Sequence, residues 1–395
     1  MNAAHWLALV FVAQMLPAGP VEIARGTITV AGDVTATFGE KDQTAFFNFT
    51  DYENNALRMF RVSLSGMWRP STRFAIVSEI RSENLQRVIP YALYARVRPW
   101  KDRAFDLQVG RIPPVFGAFA RRSYGNDNPL IGYPLAYQYL TSIRPDAIPK
   151  NADDLLFMRA RGWRATYPVG SLKPGPGVPL ISAYRWDTGV EAHATVRMFD
   201  LSGAVTVGTL SYPLVTDNND GRQFSGRVSA TPLVGLVLGV SGARGAFLEG
   251  ALAREYGSGR FPQDAVGADA EYSRGYWMVR GEAIWNHVHL PVIAAPYITD
   301  PVSARSGFVE TRYRFTPRWF AAARLDSLRF SDVTGVRFFN GQPTPWDAPV
   351  TRVEAGGGFY LQRNLIARAV VQRNWRDAGR VPNKTYLSGQ LSYWF

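Results

Sequence analysis

Arginine is the residue type in this chain with the most chemistry to offer. Of 44 basic residues 39 are Arg and five are Lys, and the formal net charge is +12. A guanidinium stays protonated at any physiological pH, and its planar fork takes carboxylate or phosphate oxygens two at a time. Arg96 and Arg98, Arg159 and Arg161, and Arg312 and Arg314 are each two positions apart, which on an extended strand puts both side chains on one face. Arg61, Arg73, Arg81, Arg197, Arg227, Arg324 and Arg368 likewise fall opposite the apolar residues of their own segments. A surface lined this way concentrates anions and repels cations. Asp33, Glu79, Glu191, Asp269, Glu271, Glu282, Glu310 and Glu354 share that face, so some arginines are expected in salt bridges. A charge-balanced wet wall with weak selectivity is the alternative reading.

Other constellations point less far. Arg121, Arg122 and Tyr124 lie together in a long segment between alternating stretches and are candidates for a constriction, with a solvated loop pair as the alternative. His287 and His289 have the spacing of a metal pair on one strand face, but no third ligand is identifiable and a polar rim is the expected reading. Asp217-Asn218-Asn219-Asp220-Gly221 resembles a calcium loop, yet Val228 stands where the closing carboxylate belongs, so a turn is expected. No spacing singles out a catalytic set, and neither an enzyme, a cofactor nor a bound metal is expected. The arginines are dispersed, not gathered into a patch, which excludes a nucleic-acid partner.

The elements that must position these arginines are strands. From Gly26 onward apolar and polar residues alternate. Ile28, Val30, Val34, Ala36 and Phe38 oppose Thr27, Thr29, Asp33, Thr35 and Thr37. Phe60, Val62, Leu64 and Trp68 oppose Arg61, Ser63 and Ser65, and Tyr91, Leu93, Ala95 and Val97 oppose Tyr94, Arg96 and Arg98. Sixteen such segments are expected, ending at 384–395, and weaker ones near 156–167 and 179–187 would raise the count to eighteen. Short turns, such as 69–72 and Thr316-Pro317-Arg318, alternate with long loops, such as 245–263 and 331–349. That asymmetry predicts an all-β fold, a transmembrane antiparallel β-barrel in which the whole of 26–395 is one domain. Composition agrees. Mean hydropathy is −0.13, as expected where lumen residues dilute lipid-facing ones, and aromatics make up 13%. Cysteine is absent, which excludes disulfides and cysteine-based metal sites.

Two stretches stand apart. Residues 1–25 contain a short apolar core, Trp6 to Leu16, followed by Pro17-Ala18-Gly19, and are expected to be an export signal although no Lys or Arg precedes Trp6. The insertion from Ile112 to Asp154, after the fifth strand, is too rich in aromatic and apolar residues to stay loose in water. It is expected to fold into the lumen and narrow it; an external cap or a trimer contact is the alternative.

The final strand, Tyr386 to Phe395, is apolar on one face, polar on the other and ends on an aromatic, and resembles the C-terminal insertion signal of bacterial outer-membrane barrels. Asp106-Leu107-Gln108-Val109-Gly110-Arg111-Ile112-Pro113-Pro114-Val115-Phe116-Gly117 resembles a strand of the phosphate-selective porins of the O and P type, and Gly267 to Tyr272 with Gly275 to Glu282 is similar to that family's acidic-strand hairpin. The resemblance implies a sixteen-stranded barrel in the bacterial outer membrane, a homotrimer surrounded by lipid, that passively admits small anions. The family's phosphate sites use Arg and Lys at a constriction, and this insertion has no Lys cluster. The other readings are a general or sugar-diffusion pore, with Tyr124, Tyr137 and Tyr139 as a sliding surface for neutral solutes, and a non-conducting structural barrel.

Overall fold

The computed structural model describes residues 19–40, 48–50, 55–122, 124–183, 186–257, 261–376 and 384–395. Most of the expected export signal therefore lies outside the described residues. The wall is built from sixteen antiparallel strands. They are β1 (Ile28–Gly39), β2 (Phe60–Trp68), β3 (Phe74–Glu83), β4 (Val88–Val97), β5 (Phe105–Ile112), β6 (Asp187–Val196), β7 (Phe199–Thr206) and β8 (Gln223–Leu233). Then follow β9 (Leu236–Ala246), β10 (Pro262–Arg274), β11 (Trp277–Val288), β12 (Val302–Arg314), β13 (Trp319–Phe330), β14 (Val350–Gln362), β15 (Leu365–Arg376) and β16 (Lys384–Trp394).

Each strand pairs with its sequence neighbour, and β16 returns to β1 with Val34 opposite Tyr393 and Ala36 opposite Leu391. The backbone of Phe395 completes the seam through two 3.0 Å bonds with Gly32. Closure leaves no sheet edge, which is the condition a β-structure must meet in hydrocarbon. Val21–Ile23 folds back on Ile28 to Val30 at one rim.

The alternation sorts the side chains. Leu64, Val109, Val228, Val240, Val309, Leu325 and Leu387 are exposed on the outside. Thr35, Arg61, Glu79, Glu191, Glu310, Arg324 and Ser392 are buried on the inside. Trp68, Trp100, Tyr276, Trp277, Phe315 and Trp319 are exposed around the turn end, and Tyr313 gathers Trp277 and Phe315 at ring distances of 4.7 and 5.1 Å. Such a girdle over an apolar band marks the level of a membrane interface.

Three expectations change. Residues 156–167 are not a barrel strand: Asn151 caps a helix over Ala152–Phe157, its side chain accepting from Asp154 N at 3.0 Å, and Gly162–Arg164 form a 3-10 turn. Residues 179–183 pack inside the barrel, where Leu180, Ile181 and Ala183 are buried. The connection between β5 and β6 is therefore the whole of 113–186, and eighteen wall strands are excluded. Tyr91 does not share the outer face with Leu93. A register shift between Glu79 and Ile80 on β3, facing β4, turns it into the lumen, where its hydroxyl donates to Ala183 O at 2.8 Å.

The outer band makes a quantitative prediction. Val228→Arg should destabilise the barrel by about 2–4 kcal/mol, as charge near the bilayer midplane does. Ser229→Gln, one residue on and facing inward, should change it by no more than about 0.5 kcal/mol. Urea-dependent folding into lipid vesicles measures both.

Candidate functional site: the lumen and its insertion

The 113–186 insertion occupies the lumen as a small folded body. A four-residue helix, α1 (Leu135–Gln138), is buried at every position, and Phe119, Tyr137, Tyr139, Leu155 and Tyr167 form one apolar core with it. The wall supplies the other half. Ile284, Phe308, Phe320, Leu328 and Phe330 point inward from β11, β12 and β13 and are buried against the insertion. On this arc apolar side chains occur on both faces, interspersed inward with Arg280, Glu282 and Arg324, because one face meets lipid and the other meets packed protein.

Buried carboxylates on the wall hold the insertion by its backbone and hydroxyls. Glu354 on β14 accepts from Ile131 N at 3.1 Å and Gly132 N at 2.8 Å through one oxygen, and from Arg324 at 2.8 Å through the other. Glu282 on β11 accepts from Ala118 N at 3.0 Å and from the Tyr137 hydroxyl at 2.6 Å. Glu79 on β3 accepts from the Tyr124 hydroxyl at 2.5 Å. Burial beside these carboxylates pushes both phenols above their ordinary range, so they remain protonated donors. Arg61 reaches the Tyr133 hydroxyl and Arg352 its carbonyl, each at 3.0 Å. Arg280 donates to Asn128 at 2.9 Å. Beyond β13, Asp347 accepts from Ser142 N at 2.7 Å and Ala160 N at 2.9 Å; burial raises its pKa against these bonds and Arg376.

The arginines expected in the lumen divide into distinct groups. Arg61 pairs with Glu83 at 2.6 Å and Arg227 with Asp269 at 2.7 Å. Arg81 pairs with Glu79 at 3.1 Å and stacks over Tyr91 at 3.6 Å. Arg324 meets Glu310, Asp326 and Glu354 at 3.1, 2.9 and 2.8 Å. These are wall braces, as the shared acidic face anticipated.

A second group has no carboxylate partner among the described residues: Arg96 on β4, Arg312 and Arg314 on β12, and Arg368 on β15. Arg368 bonds only the neutral Gln390 and Ser392, at 2.9 and 3.3 Å, and Arg314 lies 5.7 Å over the Tyr360 ring. All four lie in the half of the barrel nearer the short turns.

The remaining positions differ from expectation. Arg159 and Arg161 sit on the insertion, not on a strand; Arg159 donates to Pro345 O at 3.0 Å and Arg161 stacks 4.7 Å over Phe157. Arg197 occupies the β6–β7 turn at φ +56° and is exposed. Arg73 and Arg98 flank the β3 and β4 ends at the turn rim, joined through Arg98 N to Arg73 O at 2.7 Å.

Arg121 and Arg122 are on the face of the insertion that looks toward the turn-end chamber. Arg121 pairs with Glu191 at 2.9 Å and Arg122 with Glu271, yet their side chains keep 41% and 35% exposure. Asp127, which is exposed, lies near Arg122, Arg280 and Arg368. Tyr137 and Tyr139 are 0% and 1% exposed and offer no surface to a passing solute. His287 faces outward beside Ser303 at 2.7 Å, whereas His289 lies past the end of β11 and meets Asp264 at 3.1 Å. Among the described residues no group of three His, Asp or Glu is placed to hold a metal. Asp217 accepts from Asn219 N at 3.3 Å in a turn.

Arg280, Arg352 and Arg376 were not singled out from the sequence, although all three hold the insertion. Their inward-facing register was the only available signal.

Comparison with known proteins places the fold. No protein-family model matches the chain, and no curated protein does. Solved structures match over nearly all of it. Salmonella typhi OmpF is 10% identical, with a TM-score of 0.56 over 95% of this chain and 100% of that one. An anion-selective porin from Comamonas acidovorans is 9% identical, with a TM-score of 0.53 over 93% and 99%. The trimer form of OmpT, an outer membrane protein of Vibrio cholerae, is 10% identical, with a TM-score of 0.52 over 93% and 99%. The architecture is that of the bacterial outer-membrane porins.

Removing one anchor should loosen the insertion without opening the wall. Glu354→Ala strips two backbone donors and Arg324 of their buried acceptor, a loss of about 3–5 kcal/mol. Faster amide exchange at Ile131 and Gly132, with β14 amides still protected, is the expected result.

Proposed function

We propose that this protein is an outer-membrane porin through which small solutes diffuse passively, with a preference for anions. The observation that supports the preference is the set of guanidiniums near the turn end that form no ion pair among the described residues, Arg96, Arg312, Arg314 and Arg368, of which Arg368 has Asp33 and Asp127 in its wider surroundings, together with the half-exposed Arg121 and Arg122. Fixed positive charge within a low-dielectric wall raises the local anion concentration and excludes cations. No chemical step is required of the protein. The solute gradient drives transport, and the insertion sets the width.

In this reading the short turns face the periplasm and the long loops face outward. Residues 1–25 are the export signal and 26–395 the barrel, which assembles as a homotrimer in the outer membrane. Phosphate is one candidate solute among small anions.

A second reading, a barrel closed by its insertion, is favoured by one specific observation. The insertion is hydrogen-bonded to β2, β3, β6, β10, β11, β14 and β15, which leaves few sectors of the wall free at that level. Planar-bilayer recording under a KCl gradient decides between the two. Discrete steps with a reversal potential on the chloride side support the anion pore; no steps from folded protein support the closed barrel. Replacing Arg96, Arg312 and Arg314 by Gln should move the reversal potential toward zero. Deleting residues 118–150 should raise the conductance, and an unchanged conductance would remove the insertion from the pore.

A further inference from the structure

The outer face carries a charge arrangement that the pore does not use. Arg305 on β12 and Arg329 on β13 are direct register partners, both exposed and both on the lipid-facing side. Like charges directly opposite one another on adjacent strands repel. Arg329 is held in place by Val350 O at 2.9 Å and the Thr351 hydroxyl at 2.9 Å. No hydrogen bond or ion pair engages the Arg305 side chain among the described residues. Arg373 on β15 is exposed on the same face, bonded to the Thr385 hydroxyl at 2.9 Å and lying 5.4 Å over Trp375. No carboxylate pairs with any of the three among the described residues. Trp285 is the register partner of Arg305 on β11.

These residues lie toward the loop end of their strands, eight to ten positions from the turn-end residues, counting Arg305 to Arg314, Trp319 to Arg329 and Leu365 to Arg373 along β12, β13 and β15. A guanidinium there sits at the outer interface, where its cost falls to about 0–1 kcal/mol, not in the hydrocarbon.

Immediately below them the wall is recessed. An open trough of about 500 Å³ runs over Ala270, Gly281, Ala283 and Gly307, flanked by Val309 and Leu325. Gly307 lies two residues from Arg305 on the same face, and Ser327 two from Arg329. The small side chains leave space the width of a hydrocarbon chain, directly under a pair of cations.

We propose that this outer surface is a binding site for a lipid with a phosphorylated headgroup. The phosphate sits between Arg305 and Arg329, and an acyl chain lies in the trough. A phosphate oxygen set offers each guanidinium a bidentate partner and turns the like-charge pair from a liability into a clamp. The site rests on the barrel being in a bilayer, not on the pore being open.

Native mass spectrometry of the full chain in detergent tests it, with dioleoyl phosphatidic acid as the probe and dioleoyl phosphatidylcholine and inorganic phosphate as comparators. Phosphatidic acid should be retained as a bound adduct in preference to phosphatidylcholine. Arg305→Gln with Arg329→Gln should weaken that adduct by roughly thirtyfold. Ala283→Leu or Gly307→Leu, which fill the trough, should weaken it too; a Cβ at Gly307 meets only Glu282 O, at 3.6 Å, so the fold tolerates the change. Retention unchanged in the double arginine variant, or equal for the two lipids, overturns the site. Competition by inorganic phosphate with no effect of the trough variants would mean an anion site without a chain, and overturns the lipid assignment. Channel activity is not the readout, so a closed barrel leaves the outcome intact.

Discussion

Backbone pairing is the constraint on which everything else here depends. In hydrocarbon no water is available to an unpaired N–H or C=O, so a sheet survives only if its last strand returns to its first. The seam between β1 and β16, extended to the terminal Phe395, meets that condition. Closure then creates a second problem. A sixteen-stranded wall encloses far more space than its own side chains fill, and that space holds either water or protein. In this chain a single connection, 113–186, brings its own apolar core into it.

Filling the lumen changes what the wall must be. Where the insertion packs, β11 to β13 carry apolar side chains on both faces, and Phe308 and Phe330 serve an interior, not a channel. Where it needs polar attachment, the wall offers carboxylates. Glu282 and Glu354 each satisfy insertion donors, at a position where an unpaired acceptor would be costly. Arg324, with three carboxylates around it, braces the wall behind those contacts. The charge inside the barrel is therefore paired with carboxylates around the insertion, whereas four guanidiniums nearer the turns, Arg96, Arg312, Arg314 and Arg368, form no ion pair among the described residues. That contrast in partners, not the number of arginines, separates scaffold from chamber.

The outer face follows the same logic with a different solvent. Aliphatic side chains meet the hydrocarbon and aromatic rings mark the turn-end interface. The outward-facing Arg305, Arg329 and Arg373 lie toward the loop ends of their strands. A wall two residues thick in pattern is thus read by three media: lipid, water and the folded insertion.

Alternation with a period of two, the asymmetry of turns and loops, and an aromatic last strand determined the barrel, its closure and all sixteen strands from sequence alone, because a membrane wall imposes that pattern residue by residue. The inward placement of Arg61, Arg227, Arg312, Arg324 and Arg368 was legible for the same reason. Which of them would be neutralised was not, since Glu83 and Asp269 find Arg61 and Arg227 across strands, through register. The segment 156–167 alternates by accident of composition; the helix capped by Asn151 ends at Phe157 within it, and a 3-10 turn and coil follow inside the barrel. Tyr91 followed the strand pattern until a one-residue bulge reversed it. Local pattern decides which face a residue takes; only the closed barrel decides what that face meets, because lipid, solvent and insertion are set by parts of the chain far apart in sequence.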